Sequence, residues 1–169
     1  YSDTISHFRQ TNPDTIVGQL TSGSITVDQT QTYAWTEEIT ILQNVLKPYE
    51  GKVYLEYSIP RMSRRIDVVL ITGPVVFVLE FKVGQDQYTQ HDIDQVCDYA
   101  LDLKNFHESS HTLYIAPILI ATDANVTPIA VAQTPQNDKL LLPITTNSDN
   151  LSATIASVLR FAGGDPIDA

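Results

Sequence analysis

Two short apolar segments joined by a turn carry ionisable residues where a buried strand normally has none. The first segment, 65–70, contains Asp67 among isoleucine, valine and leucine, and the second, 78–83, contains Glu80 and Lys82. Buried strands are usually built from β-branched and large apolar residues, so these residues break the local rule. Such breaks are expected at functional sites. The two segments therefore constrain both the fold and the function.

The residues between the two segments predict a β-hairpin. Residues 72–75, Thr-Gly-Pro-Val, are a turn signal. If the turn is centred between its glycine and its proline, the hairpin pairs residues whose numbers add up to 147, and Asp67 lies opposite Glu80. Because side chains alternate across a strand, Glu80 and Lys82 project to one face, and the pairing places Asp67 on that face. Two carboxylates and a lysine are thus predicted at one point of a sheet.

The composition predicts one globular domain. The chain has 169 residues, enough for one domain with a hydrophobic core and too few for two domains of typical size. No apolar run approaches the roughly 20 residues that span a bilayer, and no basic-then-apolar leader opens the chain. Its single cysteine, Cys97, cannot form an internal disulfide. We therefore expect a cytoplasmic protein without a membrane partner.

The charge is strongly acidic overall but uneven. Twenty acidic residues against ten basic ones give a net charge of −10, which argues against a general nucleic-acid binder. However, Arg61, Arg64 and Arg65 cluster just before Asp67. A local basic rim around an acidic pocket therefore remains compatible with the sequence.

The first half of the chain predicts helices. Residues 1–32 are weakly patterned and predict a short helix that starts at Asn12-Pro13 and packs outside the core. Residues 33–47 predict a longer helix with Glu38, but not Glu37, inside its apolar stripe. The stripe consists of Trp35, Ile39, Leu42, Val45 and Leu46. Glu38 is thus the candidate third carboxylate, or alternatively a residue at the stripe's edge that reaches solvent or an arginine.

Further strands are predicted around the hairpin. Residues 52–59 alternate and complete a three-stranded antiparallel meander. Residues 112–121 are a nearly continuous apolar run, typical of a strand buried on both faces, and a right-handed crossover would lay it parallel to a strand of the meander. A shorter strand is predicted at 139–144, and residues 150–161 predict an amphipathic helix that ends at Gly163.

A long helix is predicted between the hairpin and the parallel strand, over residues 88–106. Gln95 and Tyr99 are four residues apart, so they lie one turn apart on the same side. The neighbouring arc through Val96 and Leu103 is apolar and is predicted to face the sheet. Taken alone, Gln95 and Tyr99 are most simply interpreted as a helix surface pair.

The order helix, three strands, helix, strand, with acids on the first helix and second strand and Glu-x-Lys on the third, resembles the PD-(D/E)XK nuclease superfamily. The Gln95-x-x-x-Tyr99 pair is similar to the QxxxY motif of its RecB-like branch. The sequence around Asp67 and at residues 79–82 also resembles the nuclease-like segment that precedes helicase-type ATPase modules in some bacterial proteins. One departure is Ile66, which replaces the proline that names the superfamily, at a position that is variable in such proteins.

The resemblance implies an α/β fold with a restriction-endonuclease-like αβββαβ core, a central mixed sheet flanked by helices. Residues 1–169 would form a single domain, with an N-terminal extension at 1–32, the core at 33–121 and further strands and a helix at 122–169. We expect this domain to be part of a longer protein.

The resemblance also implies a metal site. Asp67 and Glu80 would supply hard oxygen ligands for Mg²⁺ or Mn²⁺, with the backbone carbonyl of Phe81 as a further oxygen. Lys82 would orient the attacking water or stabilise developing negative charge, and Glu38 would complete the metal shell or anchor Lys82.

The implied substrate is nucleic acid, most specifically DNA. Gln95 and Tyr99 would contact it near the cleft, with Arg61, Arg64 and Arg65 as the nearest cations. The expected activity is a Mg²⁺-dependent deoxyribonuclease that acts in genome defence or repair. The alternative is a catalytically inactive module that binds nucleic acid or a partner protein and regulates an attached helicase or ATPase. A plain structural domain would leave the acids at positions 67 and 80 without a reason.

Overall fold

A six-stranded mixed sheet forms the centre of the computed structural model, which describes residues 1–23, 27–59, 62–106, 113–136 and 138–163. The strands lie side by side in chain order; β1 to β4 are antiparallel, and β4, β5 and β6 are parallel. None of the helices in these ranges is both long and apolar enough to cross a membrane. The elements are β1 (Ser2–Thr4), α1 (Ile5–Gln10), α2 (Pro13–Ser22), α3 (Gln29–Val45), β2 (Lys52–Ser58), β3 (Arg65–Thr72), β4 (Val75–Lys82), α4 (Gln90–Phe106), β5 (Tyr114–Ala121), β6 (Ile144–Thr146) and α5 (Leu151–Ala162).

Alternation along the strands divides the interior into two cores, one on each face of the sheet. In β4, Phe77 and Leu79 pack with α1, α2, α3 and α5, whereas Val76 and Val78 pack with α4. Both faces of β4 are therefore buried, as a central strand requires. The predicted α/β class, with a mixed sheet flanked by helices, is confirmed.

The predicted hairpin register is also confirmed. β3 and β4 pair Val68 with Leu79 and Thr72 with Val75. In both pairs the two residue numbers add up to 147, as the predicted register requires. The turn contains Gly73 at a φ of 55°, a left-handed conformation that glycine adopts without steric cost. The paired ladder stops at Val68 and Leu79, one position before the candidate acids.

The long helix α3 begins earlier than predicted, at Gln29 rather than Tyr33. The Asp28 side chain accepts a hydrogen bond from the Gln31 amide at 2.8 Å and caps the helix. The polar residues that follow this cap carry no apolar signal, which explains the missed first turn. The predicted buried stripe is confirmed, and Glu38 lies inside it.

The prediction that the helix starting at Asn12-Pro13 packs outside the core is wrong, because the buried face of α2, which includes Ile16, belongs to the core. The N-terminal elements before it, α1 and β1, were not predicted. Ile5 and Phe8 of α1 are fully buried, and β1 extends the sheet by pairing with β2. These elements are too short to produce a hydrophobic period, so the sequence did not reveal them. The predicted start of α2 is confirmed, because Asn12 caps the helix and Pro13 is its first residue.

The crossover through α4 places β5 parallel to β4, which confirms the predicted parallel arrangement with a strand of the meander. The strand predicted at 139–144 is wrong, because Leu140 and Leu141 form only isolated bridges and β6 begins at Ile144. Pro143 has no amide hydrogen for a ladder, which separates the two segments. The terminal helix α5 ends as predicted, at Gly163 with a φ of 74°.

Candidate active site

The candidate site lies where β3 and β4 stop pairing. At this point a side chain replaces the backbone partner, because Oδ2 of Asp67 accepts a hydrogen bond from the Phe81 amide at 3.0 Å. Glu80 is the residue opposite Asp67 in the register, and it is only 5% exposed. The structure thus brings the two predicted carboxylates together. The contact to Asp67 uses the amide of Phe81, and a ligand role for the Phe81 carbonyl stays a prediction.

Lys82 is surrounded by polar groups from its own strand and from α4. Its Nζ lies 3.6 Å from Oε1 of Glu80 and 3.6 Å from Oδ1 of Asp92, and it donates to Oε1 of Gln95 at 3.2 Å. Asp92 was missed by the sequence reasoning, although its position three residues before Gln95 places it on the same side of the helix. Lys82 is therefore fixed by three groups rather than by Glu80 alone.

Gln95 and Tyr99 extend this arrangement along α4. The side-chain amide of Gln95 donates to the Tyr99 hydroxyl at 3.0 Å while its oxygen accepts from Lys82. Tyr99 is only 8% exposed, so the surface-pair interpretation is wrong. The contact of Gln95 and Tyr99 with a substrate stays a prediction.

Two further carboxyl groups reach the site from α3 and β2. Glu38 is 6% exposed, which excludes the alternative that it reaches solvent, and no described residue forms a hydrogen bond with its carboxyl group. Glu56 was missed by the sequence reasoning; its Oε1 accepts from the indole N–H of Trp35 at 2.9 Å. Only the alternation of β2 could have indicated Glu56, and the chain departs from that alternation at this residue.

Burial and mutual repulsion shift the pKa values of these acids upward. Burial, followed by the charge of Asp67, raises the pKa of Glu80 to about 9. Burial also raises the pKa of Asp67, to about 6, although the hydrogen bond from the Phe81 amide favours the ionised form. The pKa of Glu38 is well above its usual value, because of burial and then the charges of Asp67 and Glu56. The site thus disfavours its own negative charge.

The pKa of Lys82 is raised, which favours the charged form of its side chain. Burial lowers its pKa, but the carboxylates of Glu80, Asp92 and Asp67 outweigh that effect and raise it. A charged ammonium group therefore remains next to Glu80 over the neutral pH range.

The basic rim is smaller than predicted. Arg64 is paired with Asp102 of α4 at 3.4 Å, Arg65 is exposed at the start of β3, and Arg61 lies outside the described residues. A groove of about 280 Å³ runs beside α4 at this point. Its lining residues are Arg64, His91, Asp94, Gln95, Asp98 and Tyr99. Carboxylates therefore line the groove together with the arginine.

A larger cavity of about 790 Å³ lies over β2 and β3 on the face that also carries α4. Its lining is mainly apolar and includes Tyr54, Val69 and Leu103. Asp67, Glu80 and Glu38 do not line it. These acids do not line the smaller groove either. Gln95, which accepts a hydrogen bond from Lys82, does line it, so we place the candidate site beside the smaller groove.

The donor set fits a divalent cation that needs few protein ligands. Within the described ranges, no three His, Cys, Asp or Glu side chains are grouped closely enough to hold a metal ion, so Glu38 does not form a ready third ligand. However, Oε2 of Glu80 is buried and lacks a hydrogen-bond partner in this part of the chain. Mg²⁺ commonly binds one or two carboxylates and completes its shell with water and phosphate. Asp67 and Glu80 fit that requirement. The described residues do not provide a site in which protein groups alone supply every ligand.

No protein-family model matches the chain, and no curated protein matches its sequence. These comparisons therefore assign no family to the chain.

Proposed function

We propose that this chain is a metal-dependent nuclease domain that hydrolyses DNA phosphodiester bonds. The observation that carries the proposal is the meeting of Asp67 and Glu80 where β3 and β4 stop pairing, with Lys82 beside them. The order α3, β2, β3, β4, α4, β5 supports a restriction-endonuclease-like core around this point. A structural role alone does not explain why Glu80 is buried with an unpartnered oxygen.

Asp67 and Glu80 are the residues that would hold Mg²⁺ or Mn²⁺. When bound, such an ion lowers the pKa of a water molecule and neutralises charge on the phosphate. The hydrogen bond from the Phe81 amide fixes the Asp67 carboxylate toward this position. Glu38 is buried near the pair, and burial together with the charges of Asp67 and Glu56 raises its pKa, so a cation at this position would favour its ionised form.

Lys82 would stabilise the negative charge that develops on the phosphate during hydrolysis. Its position does not depend on a substrate, since Glu80, Asp92 and Gln95 already hold its ammonium group. Such preorganisation is what makes an electrostatic contribution to catalysis large. Tyr99 supports it indirectly through Gln95.

The second candidate function is a catalytically inactive module that binds nucleic acid or a partner protein and regulates an attached helicase or ATPase. Two observations favour it. The groove beside Arg64 is lined by Asp94 and Asp98, and the described residues contain no ready three-ligand metal group. Both features would weaken phosphate binding and cleavage.

The test is cleavage of single- and double-stranded DNA with Mg²⁺, Mn²⁺ or EDTA. Asp67→Asn, Glu80→Gln and Lys82→Met should each reduce the rate at least about 100-fold, because each removes a charge from the reacting centre. Asp14→Asn and Lys47→Met are matched controls, since both residues are exposed, Asp14 in α2 and Lys47 in the turn that follows α3. Cleavage that survives all three site substitutions would refute the proposal.

Calorimetric titration with Mn²⁺ separates the two candidates. The nuclease proposal requires binding by the wild-type protein that Asp67→Asn and Glu80→Gln both abolish. Absence of both binding and cleavage, together with DNA binding in EDTA, would favour the inactive module.

A further inference from the structure

Glu56 has an unusual backbone conformation for a residue within a strand. Its φ is 52°, in the left-handed region where side chains other than glycine are strained. Lys139 is the other non-glycine residue of this kind in the described ranges, and it lies outside the helices and strands. Strained residues persist where the surrounding structure holds them, and they are concentrated at functional sites.

The consequence of this conformation is a break in the alternation of β2. Tyr54 and Tyr57 are three residues apart, yet both lie on the α4 face, where their rings meet at 5.9 Å between centroids. Regular alternation would place them on opposite faces. The side chain of Glu56 instead turns to the other face and meets Trp35 of α3, which is only 3% exposed.

The same break reaches Asp67 on the neighbouring strand. β2 and β3 pair Leu55 with Val68 and Tyr57 with Ile66, so residue 56 is the position opposite Asp67, and these two do not pair. The ladder to β4 also stops before Asp67. Asp67 is therefore outside the ladders on both sides, and its carboxylate is available to accept from the Phe81 amide.

We propose that Glu56 is a positioning residue for Asp67: its left-handed backbone, held by the Trp35 hydrogen bond, keeps Asp67 out of the sheet ladder and directs its carboxylate to the end of β4. This role rests on the proposed function only for its effect on metal binding. A glycine at position 56 adopts a left-handed conformation without strain but has no side chain to hold it there. A glutamine keeps an oxygen that accepts from Trp35.

The experiment compares Glu56→Gly, Glu56→Gln and Lys139→Gly with the wild type. Hydrogen exchange of the Phe81 amide, relative to the Leu79 amide in the same strand, reports the Asp67 contact directly. Thermal unfolding and Mn²⁺ titration complete the set. In Glu56→Gly we expect Phe81 exchange at least ten-fold faster, Mn²⁺ affinity at least ten-fold weaker, and a melting temperature no lower than that of the wild type. Glu56→Gln should stay within three-fold of the wild type in exchange and affinity.

Lys139→Gly controls for the relief of left-handed strain at a remote position, and it should leave Phe81 exchange unchanged. Unchanged Phe81 exchange in Glu56→Gly would overturn the inference, as would Glu56→Gln behaving like Glu56→Gly, since that result would assign the effect to charge. If the wild type binds no Mn²⁺, the proposed function fails, and Phe81 exchange still decides the role of Glu56.

Discussion

Replacement of Glu80 by glutamine should stabilise the protein at neutral pH in the absence of metal. Glu80 is buried beside Asp67, and one of its oxygens lacks a partner. Burial, followed by the charge of Asp67, raises its pKa from 4.5 to about 9. Glutamine has nearly the same shape and can donate to Asp67 without carrying a titrating proton. The substitution therefore isolates the contribution of ionisation to the free energy of unfolding.

The sign of the effect follows from proton linkage. A raised carboxyl pKa means that the folded state binds a proton that the unfolded state releases above pH 4.5. The wild type is therefore most stable relative to the variant at low pH and loses this stability as pH rises toward 9. Each pH unit above 4.5 costs at most about 1.4 kcal/mol, so the difference at pH 7 has an upper limit of about 3.5 kcal/mol.

Urea unfolding in EDTA, followed by the fluorescence of Trp35, measures this difference directly. Trp35 is the single tryptophan of the chain and is buried, so its emission reports unfolding. The free energy of unfolding should be similar in the two proteins near pH 4.5, and the advantage of Glu80→Gln should grow through pH 7 and pH 8.5. Asp14→Asn, which makes the same kind of change at an exposed position, is the control. A difference that does not change with pH, or a less stable variant at pH 8.5, would refute the reasoning.

Three further predictions use the same urea assay. Glu38→Gln should also raise the free energy of unfolding at pH 7, because burial raises the Glu38 pKa, and the gain should disappear in acid; a loss at pH 7 would contradict this. Phe77→Ala should lower it by about 3 to 5 kcal/mol, since Phe77 is fully buried between the sheet and its helices; a loss below about 1 kcal/mol would show that the core tolerates the cavity. Gly51→Ala should lower it by more than about 1 kcal/mol, because a Cβ would lie 2.0 Å from the Ile71 carbonyl oxygen at a φ of 139°; Gly18→Ala, which meets no atom within 4 Å, is the control and should not destabilise.

Local signals were sufficient to predict the part of the fold that forms the site. The turn at 72–75 and the alternation of the strands fix the register of β3 and β4, because hairpin pairing depends on neighbouring residues alone. The helical period of α3 likewise places Glu38 inside the apolar stripe, although it leaves open whether the carboxyl group is buried or reaches solvent at the edge of the stripe. The sequence also predicts that β5 lies parallel to a strand of the meander, because a helical crossover returns the chain to the end of the sheet from which the preceding strand started.

The remaining features depend on contacts between distant segments. Glu56 of β2 contacts Trp35 of α3, a residue distant in the chain. The left-handed backbone of Glu56 cannot be recognised from the residue pattern of β2. Asp92 becomes part of the site only because α4 packs beside Lys82. Residues 2–4 carry no period that could identify an edge strand. Tertiary packing decides these features, and a single sequence does not encode it locally.

The charges around Lys82 suggest why a cation would have to precede a nucleic acid at this site. Glu80, Asp67 and Asp92 lie around one ammonium group, and the nearby Arg64 is engaged by Asp102. A phosphate that approaches this groove meets net negative charge, which the acidic protein as a whole reinforces. A divalent ion on Asp67 and Glu80 would reverse the local sign and would at the same time supply the partner that Oε2 of Glu80 lacks. If the proposed function holds, the burial that disfavours the ionised acids would also couple metal binding to substrate binding.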